Sequence, residues 1–497
     1  MKSNFIPKPF TKKDFENFDG QFLDSEIAEK MYITNFEYTS MGVKNTDASH
    51  IGFIAFTTKR MKESLGIKRE WPDGNLVVER NPEGFEVLVT ETPIESLKEV
   101  LPQFIVPNTW EFMYQVGNYL RENTDIPVVA ITGSVGKSTT RMMIEHLLGK
   151  DFSVLSNVGN HNTRFAIPLY MDRMVQSPDI LNLEVSLNAL NYKDKGPQTL
   201  FIKPTISVLT SVGFAHMSGM ASLNTLAEFK ANIFKGLSSD GVAIINQDIQ
   251  TEQFKIALNA AKKSTNTILT YSMTDVSADL YLVSMKELKD FTEVTISYQS
   301  DLYTYYLSLS SAGMVENSLA ALLILIALQV DITKYLPRFS SFHSLPKIME
   351  RKRGYIDGKK VDIFDDTHNA AIPSMINAVV SFTNKVAYYS GKKILVLGQV
   401  ADLGSHSERL HEELISYINN SGADVLLGYG EGMKNVVLNT TLPAQWFDEL
   451  DNYLFAIKRN ITQHSLILLK GSVSGSDYKR ISFLLDKELK DEPSIQK

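Results

Sequence analysis

Apolar positions along this chain fall into two rhythms. From residue 126 onward, short runs of consecutive apolar residues alternate with longer stretches in which apolar positions recur every three or four residues. That alternation of buried strand and amphipathic helix is the pattern of an α/β sheet. It predicts strands at 128–132, 153–156, 179–184, 205–211 and 242–245. A more β-rich piece follows from Leu280 to Leu309, where Val294, Ile296 and Tyr298 alternate with polar neighbours. A helix is expected from Glu316 to Val330. Its apolar run, Leu319 to Leu328, is too short to span a bilayer and reads as a buried helix. From about residue 345 the alternation resumes. Tyr355 to Val361 reads as a hairpin turning on Asp357-Gly358, Lys393 to Gly398 as a strand, and Val425–Leu427 and Leu466–Leu469 as further strands. Ser405-His406-Ser407-Glu408 reads as a capping box opening a helix with Leu410, Leu414, Ile415 and Ile418 on one face. The first 125 residues are less patterned. Gly52–Phe56 and Gly84–Val89 read as short strands, and Thr92 to Val100 as a helix with Pro93 near its start. The expected fold is α/β in three domains: 1–125, a central 126–340 with a P-loop-type, mostly parallel sheet, and a doubly wound, Rossmann-like 345–497. The hinge is placed at Pro337 to Lys347.

Composition narrows the classes. A chain of 497 residues with 43% hydrophobic and 22% charged residues is globular and long enough for about three domains. A net charge of −7 gives no basic footprint for nucleic acid. The absence of cysteine excludes disulfides, thiolate metal sites and a cysteine nucleophile. Met1 to Pro9 lacks the apolar core of a signal peptide. The expectation is a cytoplasmic monomer that binds neither nucleic acid nor membrane.

The chemistry centres on Val128-Val129-Ala130-Ile131-Thr132-Gly133-Ser134-Val135-Gly136-Lys137-Ser138-Thr139-Thr140. A strand runs into a glycine-bracketed turn, and a helix opens directly after Lys-Ser-Thr. Glycines let backbone N–H groups face an anion, and the helix N-terminus adds partial positive charge. Lys137 can reach outer phosphates, and the Ser138 hydroxyl can hold a divalent cation. The spacing differs from the common Walker form, since Ile131 stands where that form has its first glycine. Glu184 ends the strand 179–184 at the carboxyl edge of the sheet, where α/β proteins bind ligands, and is a candidate Mg²⁺ ligand. In the segment Thr225 to Leu237, Thr225 and Glu228 are expected to form a capping box, with Leu226, Phe229 and Ile233 as the apolar stripe. Lys230 sits at the edge of that stripe, and spacing alone reads it as a surface lysine.

The loop Thr132-Gly133-Ser134-x-Gly136-Lys137-Ser138-Thr139 resembles that of the Mur ligases, ATP-dependent enzymes that add amino acids or a dipeptide to the peptidoglycan precursor. The resemblance extends over residues 126–485 and carries further implications. It makes Glu184, His216 (in Ala215-His216-Met217) and Lys230 holders of two Mg²⁺ ions together with Ser138, with Lys230 carbamylated by CO₂. It places Asn160, Asn162 and Thr163 of Gly159-Asn160-His161-Asn162-Thr163 toward the reacting carboxylate and the γ-phosphate. It makes Asn317, Arg351 and Asp366 nucleotide contacts. It sets His368, Asn369 and Lys470 on the substrate side. ATP and Mg²⁺ are the implied cofactors, and a small-molecule carboxylate and an amine the implied substrates.

Within the family, the Asp365-Asp366-x-x-Asn369-Ala370 block and the Gly398 to Glu408 segment look most like the D-Ala-D-Ala-adding branch. The implied reaction is amide formation through an acyl phosphate, adding D-Ala-D-Ala to a UDP-MurNAc tripeptide. Several positions depart from the family pattern. Asn35 to Met41 does not match its Asp-Ser-Arg-type element. Gly313-Met314 stand where it has His-Asn, Gln399 where an aspartate is common, and Val473 where an arginine is common. These leave two alternatives: a Mur-like ligase acting on another carboxylate, as in polyglutamate chemistry, and a non-catalytic ATP-binding paralogue. No Asn-Lys-x-Asp element of a GTPase is present.

Overall fold

The computed structural model describes residues 10–45, 49–191, 196–213, 222–308, 311–343, 346–368, 370–401, 403–404, 407–472 and 477–491. The chain divides into two compact units, Met1–Tyr271 with Ala320–Val330, and Ser272–Leu319 with Asp331–Lys497.

The first unit holds two largely parallel sheets. In one, strands Asn35–Glu37, Ile51–Ile54, Val87–Thr90 and Gln103–Ile105 lie side by side in chain order, and Gln21–Phe22 adds an antiparallel edge. The other has the order Thr267–Ser272, Val242–Asn246, Ile206–Leu209, Val128–Thr132, Ile180–Glu184, Val154–Ser156, all parallel. Every residue of Val128–Thr132 and Ile180–Glu184 is buried, as parallel strands covered on both faces require. The chain enters this sheet at Val128–Thr132, builds outward to one side, then crosses to the other at Ile206–Leu209. The strand order therefore reverses beside the carboxyl end of Val128–Thr132, which is where such sheets open a ligand crevice.

The second unit contains a three-stranded antiparallel sheet, Leu280–Glu287, Thr292–Tyr298 and Asp301–Leu307. It also contains a six-stranded sheet ordered Glu350–Ile356, Lys359–Asp365, Ser465–Lys470, Lys393–Gly398, Val425–Tyr429, Ala444–Phe447. The first pair is antiparallel and the rest are parallel, in a doubly wound arrangement. Asp357 and Gly358 both have positive φ, 48° and 74°, the backbone a two-residue hairpin turn demands.

Three local expectations are corrected. Thr92 to Val100 is not a helix; only Glu95–Leu97 makes a 3₁₀ turn. The Gln103 side chain bonds both the N–H and the carbonyl of Ile94, at 2.7 and 2.9 Å, and holds the chain in a turn. The cap of the helix carrying Lys230 is Ser222, whose hydroxyl accepts from the Thr225 N–H, so the helix Leu223–Ala231 starts before Thr225 and Glu228. Gly84 closes a 3₁₀ turn ahead of the strand Val87–Thr90. The helix Ser407–Asn419 buries Leu414 and Ile418, while Ser405 and His406 of its expected cap lie outside the described residues. No helix among the described residues is long and apolar enough to cross a membrane.

One buried group in the first unit gives a stability prediction. Asp172 is fully buried opposite Gly117. Burial pushes its carboxyl well above the usual carboxylate range, with the Gly117 backbone and Arg173 only partly opposing. Above the ordinary carboxyl value the folded state then binds more protons than the unfolded chain, so stability falls as pH rises through that range. Asp172→Asn is expected to raise the melting temperature by about 1–2 °C at pH 8, and to lose that advantage in acid. A gain of the same size at acid pH would contradict the assignment.

Candidate functional site

The phosphate loop is built by the end of Val128–Thr132 and the start of the helix Lys137–Leu148. Gly136 adopts φ 89°, and a Cβ on Gly133 would collide with the Thr210 hydroxyl, so both glycines are required by the backbone. The segment after the neighbouring strand Ile206–Leu209 braces the loop from the side. The Ser134 N–H donates to the Ser211 carbonyl (3.0 Å) and the Val135 N–H to Ser211 Oγ (2.8 Å). The Thr210 hydroxyl donates to the Val135 carbonyl (2.6 Å), and the Ser134 hydroxyl to that of Gly213 (3.0 Å). The side chain of Thr132 is spent on structure, its hydroxyl donating to the Val185 carbonyl at 2.8 Å. Thr139 is buried and Val135 exposed. The first N–H groups of the helix have no intrahelical acceptor, which suits them to an anion.

Glu184 is brought directly to the loop because its strand pairs in register with Val128–Thr132, placing Glu184 opposite Ile131. Its carboxylate accepts from the Ser138 hydroxyl at 2.6 Å and from Asn162 Nδ2 at 2.7 Å. Glu184 is buried, and its backbone is clamped by Asn157, which accepts from the Glu184 N–H and donates to its carbonyl, both at 2.8 Å. One carboxylate thus joins the phosphate loop to the Asn160–Thr163 turn. The Thr163 carbonyl accepts the first N–H groups of the next helix, and Asn160 is exposed beside Gly159, which has φ 53°. Only Asn162 of that turn touches Glu184 through its side chain.

Lys137 is half-buried, and its ammonium donates to the Gly133 carbonyl at 2.9 Å. Burial lowers its pKa, and the Glu184 carboxylate offsets part of that. Lys230 differs from a surface lysine: it is only 4% exposed. Burial, and then the charge of Lys137, push its pKa down to about 7. Among the described residues no acceptor pairs with its ammonium. A hydroxyl, a buried carboxylate and a lysine that is half neutral near pH 7 fit oxygen-rich Mg²⁺ coordination once the lysine carries an oxygen donor. Among the described residues no three His, Asp or Glu side chains converge on one point. His216 lies outside the described residues.

The second unit collects the other predicted residues. Asp366 and Lys470 sit at the carboxyl ends of the adjacent strands Lys359–Asp365 and Ser465–Lys470 and form a buried ion pair at 2.7 Å. The other Asp366 oxygen accepts from the Met349 N–H at 3.0 Å. Burial raises the Asp366 carboxyl, against the pull of Lys470. Arg351 does not join them. It faces Asp362, Asp290 and Tyr389. Asn317 is buried in the helix Ala312–Ala327, His368 is exposed, and Asn369 lies outside the described residues.

The sequence pattern that defines the Mur ligase middle domain matches residues 131–325, spanning the loop, Glu184 and Lys230. The chain thus carries a segment matching the Mur ligase middle domain. The UDP-N-acetylmuramoyl-tripeptide–D-alanyl-D-alanine ligase of Bacillus subtilis is 26% identical over 435 residues, 84% of this chain and 90% of that protein. Two crystal structures share the fold. MurF from Acinetobacter baumannii superposes with a TM-score of 0.74 at 20% identity, covering 97% of this chain and 99% of that one. MurF from Thermotoga maritima, in complex with ADP, gives 0.70 at 22% identity, covering 91% and 97%.

Two positions that brace the candidate site escape a reading of the sequence. Asn157 and Thr210 clamp Glu184 and the phosphate loop, yet each is one of two adjacent polar residues, Ser156-Asn157 and Thr210-Ser211, at the end of a short strand. Their position just past the strands Val154–Ser156 and Ile206–Leu209, at the ligand edge of the sheet, was the available signal.

Proposed function

We propose that this protein joins a carboxylate to an amine at the expense of ATP, adding D-Ala-D-Ala to a UDP-MurNAc tripeptide. The observation that carries the reading is the Ser138–Glu184–Asn162 junction, which ties a phosphate loop to an amide-lined turn at one sheet edge. The substrate carboxylate attacks the γ-phosphorus of ATP, ADP leaves, and an acyl phosphate forms. The amine attacks the acyl carbon, phosphate departs, and the ammonium proton goes to solvent or a nearby base. Lys137 neutralises charge on the transferred phosphoryl group. Asn162, held by Glu184, orients the turn that would receive the carboxylate. Ser138, Glu184, His216 and a carbamylated Lys230 would hold Mg²⁺, which supplies further charge neutralisation when bound. Asn317, Arg351 and Asp366 serve the nucleotide, and His368, Asn369 and Lys470 the substrate side. The reading includes three functional domains, 1–125, 126–340 and 345–497, in a monomeric cytoplasmic enzyme.

The test is phosphate release from ATP and Mg²⁺ with UDP-MurNAc tripeptide and D-Ala-D-Ala. Release that requires both substrates is expected. A second reading, ligation onto a different carboxylate, is favoured by one observation. Glu37, in the stretch that departs from the family, turns its own buried carboxylate to Arg173 at the end of its strand. Release with a γ-linked oligoglutamate and glutamate, and none with the tripeptide, would select that reading.

A further inference from the structure

A buried imidazole braces the carboxyl edge of the six-stranded sheet in the second unit. His411 sits in the helix Ser407–Asn419 and is 1% exposed. Its Nε2 accepts from the Val400 N–H at 2.9 Å, and its Nδ1 lies 2.7 Å from the Ser407 carbonyl oxygen. A backbone N–H only donates and a carbonyl only accepts, so Nδ1 carries the proton and Nε2 is bare. The two partners thus fix both the charge and the tautomer of the ring. Burial holds the imidazole below the ordinary histidine value of 6.5, against the pull of the Ser407 carbonyl. Glu408 and Glu412 stand on its own helix, and Glu412 accepts from Asn435 Nδ2 at 2.7 Å. Glu431, on the turn that the ring packs against at Gly432, pairs with Lys434 at 3.5 Å. The helix Ile372–Thr383, packed on the His411 helix, carries no charge, and Asp402 lies outside the described residues.

The edge that His411 braces is the ligand edge of this sheet. The chain builds outward from Lys393–Gly398 and then returns to insert Ser465–Lys470 between that strand and Lys359–Asp365. The order reverses where the carboxyl ends of Lys393–Gly398 and Ser465–Lys470 lie side by side, which is where such sheets open a crevice. Gln399 joins three strand ends there. Its N–H donates to the Tyr429 carbonyl, its carbonyl accepts from the Ser472 N–H, and its Oε1 accepts from the Gly432 N–H, each at 3.0 Å. Gly398 and Gly471 both press on the ring of Tyr478, whose hydroxyl donates to the Val396 carbonyl at 2.7 Å. Packing fixes the glycine side of the crevice, and His411 fixes the chain at Val400.

We infer that Gln399–Val400 forms a wall of the crevice that receives the incoming amine, and that His411 is its positioning residue, acting through the Val400 N–H. The inference rests on the ligase reading for its ligand and adds to it a residue that touches no substrate.

The experiment measures phosphate release by the full chain at pH 8, with Mg-ATP and UDP-MurNAc tripeptide saturating and D-Ala-D-Ala varied, and then with ATP varied. Wild type, His411→Gln and His411→Leu are compared, with melting curves as a check of folding. Glutamine offers Val400 an uncharged acceptor, and leucine offers none. His411→Leu is expected to raise KM for D-Ala-D-Ala about tenfold with kcat and KM for ATP within about twofold, the loss of one buried acceptor felt at one substrate. His411→Gln is expected to stay within about twofold of wild type in all three, because the acceptor is kept. An unchanged KM for D-Ala-D-Ala in the leucine variant, equal rises in both KM values, or a glutamine variant as impaired as the leucine one overturns the positioning role. Should the leucine variant not fold, the ¹⁵N signals of the wild-type imidazole decide, assigned by their loss in His411→Gln. A protonated Nδ1 and a bare Nε2 are expected at pH 8 and still at pH 6.5, and a proton on Nε2 overturns the inference. If wild type releases no phosphate with this substrate pair, the D-Ala-D-Ala reading falls. The same KM comparison with γ-linked oligoglutamate and glutamate, together with the imidazole signals, then decides the role of His411.

Discussion

Replacing Lys137 by alanine lowers kcat/KM for ATP-dependent amide formation by about a thousandfold or more, the range seen when a preorganised charge is removed from a developing oxyanion. The ammonium lies over its own loop, bonded to the Gly133 carbonyl, in surroundings dry enough to depress its pKa. A charge in such a place acts on the phosphoryl group with little screening. The fold should survive, because the loop is held by Thr210, Ser211 and Ser134 rather than by Lys137. Phosphate release and thermal melting together provide the check. Activity within tenfold of wild type, in a variant of normal stability, would remove Lys137 from the reaction. The substitution also has a second expected consequence. The charge of Lys137 is part of what holds down the pKa of Lys230, so Lys137→Ala should raise it.

Activity is also expected to depend on dissolved CO₂, through Lys230. With a pKa of about 7 this buried amine is largely neutral at pH 8 and largely protonated at pH 6. The neutral nitrogen attacks CO₂, a C–N bond forms and a proton is released, leaving a carbamate oxygen donor. Below pH 7 the equilibrium runs back to the ammonium. Enzyme freed of bicarbonate should lose most of its turnover, with recovery on adding bicarbonate that is strong at pH 8 and weak at pH 6. Lys230→Met should be inactive and indifferent to bicarbonate. Its stability should move the other way. Between about 7 and the ordinary value of 10.5 the folded state binds fewer protons than the unfolded chain. Stability therefore rises with pH across that window, and the full penalty is present below pH 7. Lys230→Met removes the penalty and should melt about 1–3 °C higher at neutral pH. Full activity of Lys230→Met, or turnover unaffected by bicarbonate, would end the proposed role.

The two substitutions separate what each lysine does. Lys137 is placed by local sequence: glycines at 133 and 136 and a helix start leave it one position only. Lys230 is placed by burial. On its own helix it borders an apolar stripe and looks exposed, and its lowered pKa comes from burial and from the charge of Lys137. The same distinction divides the rest of the molecule. The strand, glycine turn and helix at 128–148 were legible because their signals are local: a run of apolar residues, two glycines and a helical repeat within about twenty residues. So were the Asp357-Gly358 hairpin and the strand ending in Glu184. The helix expected at 92–100 failed because a side chain nine residues from Ile94, Gln103, captured its backbone. The cap of the Lys230 helix failed because Ser222 competes with Thr225 for the same role and lies outside the apolar repeat.

By itself, then, the sequence determined where an anion-binding loop would form, which acid would stand at a strand end, and that two α/β sheets would follow one another. Tertiary structure alone decided that Glu184 meets Ser138 and Asn162, that Lys230 is desolvated, that Asp366 is neutralised by Lys470, and that Arg351 is occupied by carboxylates. Backbone propensity acts over a few residues and can be read in order. Desolvation, charge pairing and hydrogen-bond saturation depend on which distant segments arrive at the same place, and only the register of the strands sets that.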